Sequence, residues 1–167
     1  MKIISIDPGY ERVGIAIAEK KPKPSVGQVQ KEKEVLIYSD CFKTSAKIPL
    51  TERLFLIGQE IDKVIKKYKP EAMAIEKLFF TTNQKTVMGV SEARGVIMYQ
   101  ALFNKIPVFE YTPLQIKIAI TGYGRGDKKQ IIAMLQHLIK IEKEIKYDDE
   151  YDAIAVGLTH LACTKDC

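Results

Sequence analysis

Four acidic residues of this sequence stand at the ends of predicted secondary-structure elements. Asp7 and Glu76 each come directly after a short strand-like run. Asp149 and Asp152 are three residues apart at the start of a predicted helix, which places both on one face of that helix. Each acid also has an ordinary structural explanation, as a turn residue, a strand terminus or a helix N-terminal acid.

The chemistry of these acids becomes specific if they meet. They come from three remote parts of the chain and could converge at one edge of a sheet. Carboxylates brought together repel each other unless a cation neutralises them. Oxygen ligands of this kind suit Mg²⁺ or Mn²⁺, whereas Zn²⁺ would favour His or Cys. Two such ions about 3.5–4 Å apart stabilise the attacking and leaving oxygens in phosphodiester hydrolysis, so the four acids favour a nuclease.

The hydrophobic pattern predicts the elements that must position these acids. It indicates an α/β protein with the order β-β-β-α-β-α-β-α-α, typical of a mixed sheet covered by helices on both faces. Predicted strands cover Lys2–Ile6, Val13–Ala18, Val35–Ser39, Ala72–Ile75 and Ile106–Tyr111. Predicted helices cover Leu50–Tyr68 and Asn83–Phe103, with a third opened by Asp127 and a last one beginning near Asp149. The basic segment Glu19–Glu34 is predicted to be a long hairpin loop.

Length and composition set the broad class of protein. The 167 residues suit one domain spanning 1–167, and 46% hydrophobic with 28% charged residues excludes disordered and fibrous classes. No apolar run approaches the roughly 20 residues that cross a bilayer, so we expect no membrane association. Three cysteines without metal-ligand spacing, and no signal peptide, predict a cytoplasmic location. The net charge of +5 is compatible with a polyanionic partner.

Five motifs in order along nearly the whole chain resemble the RuvC family of Holliday junction resolvases. They are Ile6-Asp7-Pro8-Gly9, Ala74-Ile75-Glu76-Lys77-Leu78-Phe79, Glu92-Ala93-Arg94-Gly95-Val96, Pro107-Val108-Phe109-Glu110-Tyr111 and Asp149-Glu150-Tyr151-Asp152-Ala153. The resemblance implies a ribonuclease H-like fold. It also implies that the family's catalytic, metal-binding acids fall on Asp7, Glu76, Asp149 and Asp152. Asp148 shares a helix face with Asp152, but the family's spacing selects Asp149.

The resemblance further implies an activity and its partners. The protein would be a structure-selective endonuclease that resolves Holliday junctions by symmetric nicking of two opposed strands, leaving 5′-phosphate and 3′-hydroxyl ends. Two Mg²⁺ ions per active site would be required, with Mn²⁺ able to substitute. A homodimer, formed partly by the helix Asn83–Phe103, would place one site on each strand. The RuvA–RuvB branch-migration motor is a further expected partner.

Several residues near the acids in sequence are candidates for DNA contact. They are Lys77, Lys85, Arg94, Lys117, Arg125 and Lys128, with Lys117 and Lys128 matching the family's basic positions near the active site. Phe79 would stack on an unpaired base of the opened junction, although an aromatic beside a strand end can equally be core. His160, two helical turns after Asp152, could stand near the metals or could simply cap the end of its helix.

Two other functions fit the same residues. One is a ribonuclease H-like nuclease acting on RNA or on other branched DNA, which the four acids alone do not exclude. The other is a junction-binding module that recruits a motor without cutting. Four intact acids count against the second, because pure binding would gain from removing negative charge near the phosphates.

Overall fold

A computed structural model describes residues 1–21, 34–78 and 84–164, except for the side chains of residues 84–86. Five strands form one mixed sheet in the order β3-β2-β1-β4-β5. Their bounds are Lys2–Asp7 (β1), Arg12–Lys20 (β2), Glu34–Lys43 (β3), Ala72–Glu76 (β4) and Val108–Tyr111 (β5). β1 pairs antiparallel with β2 and parallel with β4, and β5 continues the parallel side. The sheet is therefore mixed, as the sequence pattern predicts.

Helices cover both faces of this sheet. Their bounds are Leu50–Tyr68 (α1), Gln84–Phe103 (α2), Pro113–Thr121 (α3), Lys128–Leu138 (α4) and Asp148–Cys163 (α5). One hydrophobic core joins the sheet to α1 and α2, and a second joins its opposite face to α3, α4 and α5. The predicted α/β class with helices on both faces is confirmed. None of the helices in the described ranges is long and apolar enough to cross a membrane.

The side chains on the two faces of the sheet differ in size. On the α1–α2 face, large aliphatic side chains fill the core, among them Ile4, Ile6, Ile15, Ile17, Met73 and Ile75. Between them in sequence stand small residues that face α5, namely Ser5, Ala16 and Ala74. Because side chains alternate across a strand, each strand presents a bulky surface to one layer and a thin surface to the other.

One helix is missing from the predicted element order. The observed order is β-β-β-α-β-α-β-α-α-α, because Pro113–Thr121 forms the additional helix α3. A capping box opens it: the Thr112 hydroxyl accepts a hydrogen bond from the Gln115 N–H at 3.1 Å, and the Gln115 side chain accepts one from the Thr112 N–H at 2.8 Å. Pro113 suits the first helical position, since it has no N–H to lose.

Other predicted boundaries hold to within two residues, with one larger difference at the end of β3. β3 is longer than its prediction because Asp40, Cys41, Phe42 and Lys43 continue the pairing with β2. β5 begins at Val108, two residues later than predicted. The predicted start of α4 at Asp127 is observed as a second capping box, in which the Asp127 carboxylate accepts a hydrogen bond from the Gln130 N–H at 2.8 Å. Most of the predicted hairpin Glu19–Glu34 lies outside the described residues.

A lysine ties the segment between α4 and α5 to the sheet. Lys143 forms an ion pair with the buried carboxylate of Glu150, in the first turn of α5. Its ammonium also donates a hydrogen bond to the Ser39 carbonyl of β3 at 2.6 Å. The ammonium of Lys143 therefore compensates the buried charge of Glu150, which water does not reach. The same side chain holds the α4–α5 segment against β3.

Candidate active site

Asp7 and Glu76 lie side by side at one edge of the sheet. β1 and β4 are parallel, and Ile6 is the register partner of Ile75, so the next residue on each strand is one of the two acids. Both belong to the face that carries Ser5 and Ala74, because side chains alternate along a strand. The negative charge of Glu76 raises the pKa of Asp7, as expected for neighbouring carboxyl groups. The convergence of parallel strand ends thus joins two acids that are 69 positions apart in the sequence.

Helix α5 brings Asp149 and Asp152 to the same edge, and glycine makes this close approach possible. A Cβ atom at Gly14 would lie 1.8 Å from the carbonyl oxygen of Asp149, so no other residue fits there without moving the helix. Further along α5, a Cβ atom at Gly157 would lie 2.6 Å from the Ser5 hydroxyl oxygen. The helix backbone therefore rests almost directly on β1 and β2.

The acids at this edge of the sheet act on one another's pKa values. The pKa of Asp7 is raised well above its usual value, first by burial and then by the negative charges of Glu76, Asp152 and Asp149. The pKa of Glu76 is raised by burial and then by Asp152. Burial also raises the pKa of Asp152. Because all the donors are carboxylates whose mutual repulsion is costly, this donor set fits a hard divalent cation.

Two of the acids have basic partners in this structure. The Asp149 carboxylate lies 3.1 Å from Nε of Arg12, and the Asp152 carboxylate lies 3.0 Å from Nζ of Lys128. Lys128 also contacts Asp148, at 3.2 Å. Partial burial lowers the pKa of Lys128, but these two acids outweigh it and the pKa is raised. Within the ranges that the structure describes, no three His, Cys, Asp or Glu side chains are already gathered as they would be around a metal ion.

A small cleft opens beside the acids. It has a volume of about 140 Å³ and is bordered by the carboxylates of Glu76 and Asp152 and by Lys117 of α3. Apolar residues of α3, α4 and α5 form the rest of its lining: Pro113, Ile116, Ile131 and Ala155. Lys117 also lowers the pKa of Glu76, although burial dominates that shift. The cleft therefore places a cation next to the acids, where an anionic substrate group could enter.

Comparison with known proteins identifies the family. The family model described as "Crossover junction endodeoxyribonuclease RuvC" matches residues 3–160. The RuvC protein of Fusobacterium nucleatum is 44% identical over 161 residues, which cover 96% of this chain and 80% of that protein. The chain belongs to the RuvC family.

Solved structures agree with this family at the level of the fold. A Thermus thermophilus RuvC in complex with Holliday junction substrate superposes with a TM-score of 0.85 at 28% identity, covering 96% of this chain and 93% of that one. The yeast mitochondrial Holliday junction resolvase Ydc2 gives a TM-score of 0.70 at 12% identity, covering 96% and 77%. The ribonuclease H-like fold predicted from the RuvC resemblance is confirmed.

The DNA-contact candidates taken from the RuvC resemblance have different environments. Lys117 and Lys128 stand beside the acids, while the exposed Lys77 directly follows Glu76 and the exposed Arg125 lies between α3 and α4. Arg94 has partners within the chain. Its partly buried guanidinium pairs with Glu110 and donates a hydrogen bond to the Glu76 carbonyl at 3.3 Å. Phe79 and the side chain of Lys85 lie outside the described residues.

His160 and Asp148, the two other site candidates considered for this RuvC sequence, have different partners. His160 is buried, and its Nδ1 lies 2.9 Å from the Tyr111 hydroxyl. Burial lowers its pKa, and its ring packs against Phe109. The exposed carboxylate of Asp148 contacts only Lys128 among the described residues. Sequence reasoning missed Arg12, because its contact with Asp149 depends on how α5 lies on β2.

Proposed function

We propose that this protein is a metal-dependent endonuclease that resolves Holliday junctions by nicking two opposed strands. Membership of the RuvC family of crossover junction endodeoxyribonucleases supports the reaction. The proposal rests on the placement of four acids at one edge of the sheet, two on adjacent parallel strand ends and two on the helix packed against those strands. Partly buried acids that repel one another destabilise a fold, and such groups are concentrated at functional sites.

Asp7, Glu76, Asp149 and Asp152 would hold two Mg²⁺ ions, with Mn²⁺ as a substitute. Asp7 would be the central residue of this ligand set, since the charges of all three other acids act on its carboxyl group. Bound divalent cations supply an activated water for in-line attack and neutralise charge on the attacked phosphate. The rigid strand ends and the close-packed helix α5 fix where the four carboxylates stand.

Cationic side chains around the acids would position the DNA. Lys117 and Lys128 border the acids and would contact phosphates near the scissile bond. Lys77 and Arg125 are exposed further out and would bind the backbone without reading sequence. Stacking of Phe79 on an unpaired base remains a prediction from the family resemblance, as do cooperation with a RuvA–RuvB motor and a cytoplasmic location.

A homodimer would place one active site on each of two symmetric strands. α2 buries Ala93, Ile97 and Ala101 against the sheet and exposes a second apolar surface: Met88, Tyr99, Leu102 and Phe103. The Tyr99 and Phe103 rings stack at 5.9 Å, with 61% and 67% of these residues exposed. Apolar surface of this extent favours a partner, and a two-fold axis suits a four-way junction. Light scattering should give a mass of two chains, and Phe103→Glu should reduce it to one.

Cleavage of a mobile four-way junction in Mg²⁺ tests the proposal, with linear duplex of the same sequence alongside. The wild-type protein should nick two opposed strands of the junction only. Asp7→Asn should bind the junction but leave it uncut. The substitution removes the negative charge of the acid that all three others act on, and with it a ligand that the metal ions would need. Asp148→Asn is the matched control and should cut within a few-fold of wild type.

Three results would contradict the proposal. Asp7→Asn that cuts at the wild-type rate would remove the acids from the mechanism. Equal cutting of junction and linear duplex would assign the protein to a different nuclease substrate. Tight junction binding by the wild type without any nick would favour the module that recruits a motor.

A further inference from the structure

Arg12 is a cation that stands directly on one of the proposed metal ligands. Its Nε atom lies 3.1 Å from the Asp149 carboxylate. A guanidinium this close takes up one acceptor position of the carboxylate, partly neutralises its charge and repels a second cation. Metal binding at Asp149, as proposed above, is therefore weaker while this pair is intact. Arg12 is therefore placed to influence metal binding although it is not itself a ligand.

The strand pairing explains why Arg12 is found at this position. Arg12 is the first residue of β2, and Lys43 is its register partner on β3. Both cations lie over the ring of Tyr147, the N-cap residue of α5, at 5.9 Å for the Arg12 guanidinium carbon and 4.0 Å for Lys43 Nζ. Lys43 also donates a hydrogen bond to the Tyr147 hydroxyl at 2.8 Å. Two strands and a helix start thus hold two cations on the Tyr147 ring, and one of them, Arg12, also contacts Asp149.

The two cations differ in what they touch. Arg12 contacts the carboxylate of Asp149 and the Tyr147 ring, whereas the ammonium of Lys43 contacts the ring and hydroxyl of Tyr147. Half of the Arg12 side chain (52%) is exposed, compared with 20% for Asp149. An exposed guanidinium on a fixed strand can swing into solvent, so a divalent cation can displace it from the less mobile acid.

We propose that Arg12 is a positioning residue that holds Asp149 in the metal-free protein and competes with the catalytic metal for this carboxylate. The inference rests on the proposed function, which makes Asp149 a metal ligand. Its consequence is opposite to that of an ordinary site residue: loss of Arg12 strengthens metal binding. After displacement, the guanidinium lies beside the site and its charge is no longer neutralised by Asp149. It is then free to contact a DNA phosphate.

Mn²⁺ binding without DNA tests this, with the free ion followed by electron paramagnetic resonance. Arg12→Gln should lower the dissociation constant about fivefold, equivalent to about 1 kcal/mol. Lys43→Gln is the matched control, since it removes an equal charge from the same tyrosine but touches no acid. Lys43→Gln should change the Mn²⁺ dissociation constant by less than about twofold, because a charge that does not contact the acids is screened by solvent and salt.

A double-mutant cycle separates the direct contact from the general effect of charge. In an Asp149→Asn background, Arg12→Gln should no longer tighten Mn²⁺ binding, because the carboxylate for which they compete has gone. Equal tightening by Arg12→Gln and Lys43→Gln would overturn the inference, as would unchanged or weaker binding in Arg12→Gln. Circular dichroism of each variant checks that the fold is intact.

The same titrations distinguish failure of this inference from failure of the proposed function. If Asp149→Asn weakens Mn²⁺ binding while Arg12→Gln leaves it unchanged, the metal site stands and the role of Arg12 is refuted. If the wild-type protein binds no Mn²⁺, or if Asp149→Asn binds it as well as wild type does, the assignment of Asp149 fails and the competition fails with it.

Discussion

The two faces of the central sheet are built from neighbouring residues of the same strands, yet they hold their helices in different ways. Facing α1 and α2, isoleucine and methionine side chains fill a deep core. Facing α5, the residues between them are Ser5, Gly14, Ala16 and Ala74, and the helix backbone comes into contact with the strands. One layer is held by the burial of large apolar side chains and the other by close backbone approach.

This difference places the candidate active site on the thin face. Asp7 and Glu76 have short reach, so they meet acids of a helix only if that helix lies close to the sheet. The absence of a side chain at Gly14 allows that approach at the start of α5, where Asp149 stands. Large side chains on this face would lift α5 and separate the acids. The face towards α1 and α2 stabilises the fold by burying large side chains, and the face towards α5 lets the acids of that helix lie close to those of the strands.

Among the substitutions that test the difference between the two faces, Gly14→Ala should have the largest effect on junction cleavage. Its new methyl group would meet the backbone oxygen of Asp149, which no side-chain rotation can move away, so α5 has to shift. A displacement of about 1 Å at a catalytic group can cost roughly 100-fold in rate, and we expect junction cleavage to fall at least that far. Overpacking should also cost about 1–3 kcal/mol of stability. Wild-type cleavage by this variant would show that α5 has room to spare.

Ile15→Val changes the neighbouring residue, which faces the opposite layer. Ile15 is 1% exposed in the core beneath α1 and α2. Loss of one buried methylene should lower the free energy of unfolding by about 0.5–1.5 kcal/mol in urea denaturation. The cleavage rate at a temperature well below unfolding should remain unchanged. A fall in rate comparable with that of Gly14→Ala would mean that the two faces are not independent.

Asp7→Asn should stabilise the metal-free protein while it abolishes cleavage. The folded state raises the pKa of Asp7, so the ionised acid destabilises the fold at pH values above its ordinary pKa. In EDTA at neutral pH we expect Tm to rise by roughly 2–4 °C, the change that about 1 kcal/mol produces in a domain of this size. The gain should shrink as pH falls through the raised pKa towards about 4, since Asp7 then becomes protonated in the folded state and its carboxyl group no longer repels the other acids. A lower Tm for this variant in EDTA would contradict the electrostatic account.

Arg94→Gln should have the smallest effect. Arg94 joins α2 to β5 through Glu110, on the bulky side of the sheet, and a partly exposed pair of this kind contributes less than about 1 kcal/mol. The salt dependence of junction binding should keep its slope in this variant. Lys117→Gln, the comparison on the thin side, should reduce the slope by about one unit. An equal reduction by Arg94→Gln would return Arg94 to the DNA-contact residues.

The sequence predicts the fold of this protein better than the contacts of its charged side chains. Asp7 and Glu76 could be paired in advance because apolar strands end at both, and parallel strand ends meet at one edge. Helix α3 was missed although Thr112, Pro113 and Gln115 carry its capping signal, since its interior lacks a clear amphipathic pattern. The partners of Arg12 and Arg94 could not be predicted, because strand register and helix placement decide which acid each arginine meets.

The hydrogen bond from Lys143 to Ser39 also bears on how copies of this chain behave at high concentration. β3 ends the sheet order on one side, and the open edge of a sheet can pair with a strand of another molecule. Lys143 already takes up one carbonyl of this strand, so that carbonyl is not free to accept a hydrogen bond from an incoming strand. Pairing there would bury a charge and separate it from Glu150. The lysine that fixes the α4–α5 segment thereby also guards this edge against intermolecular aggregation.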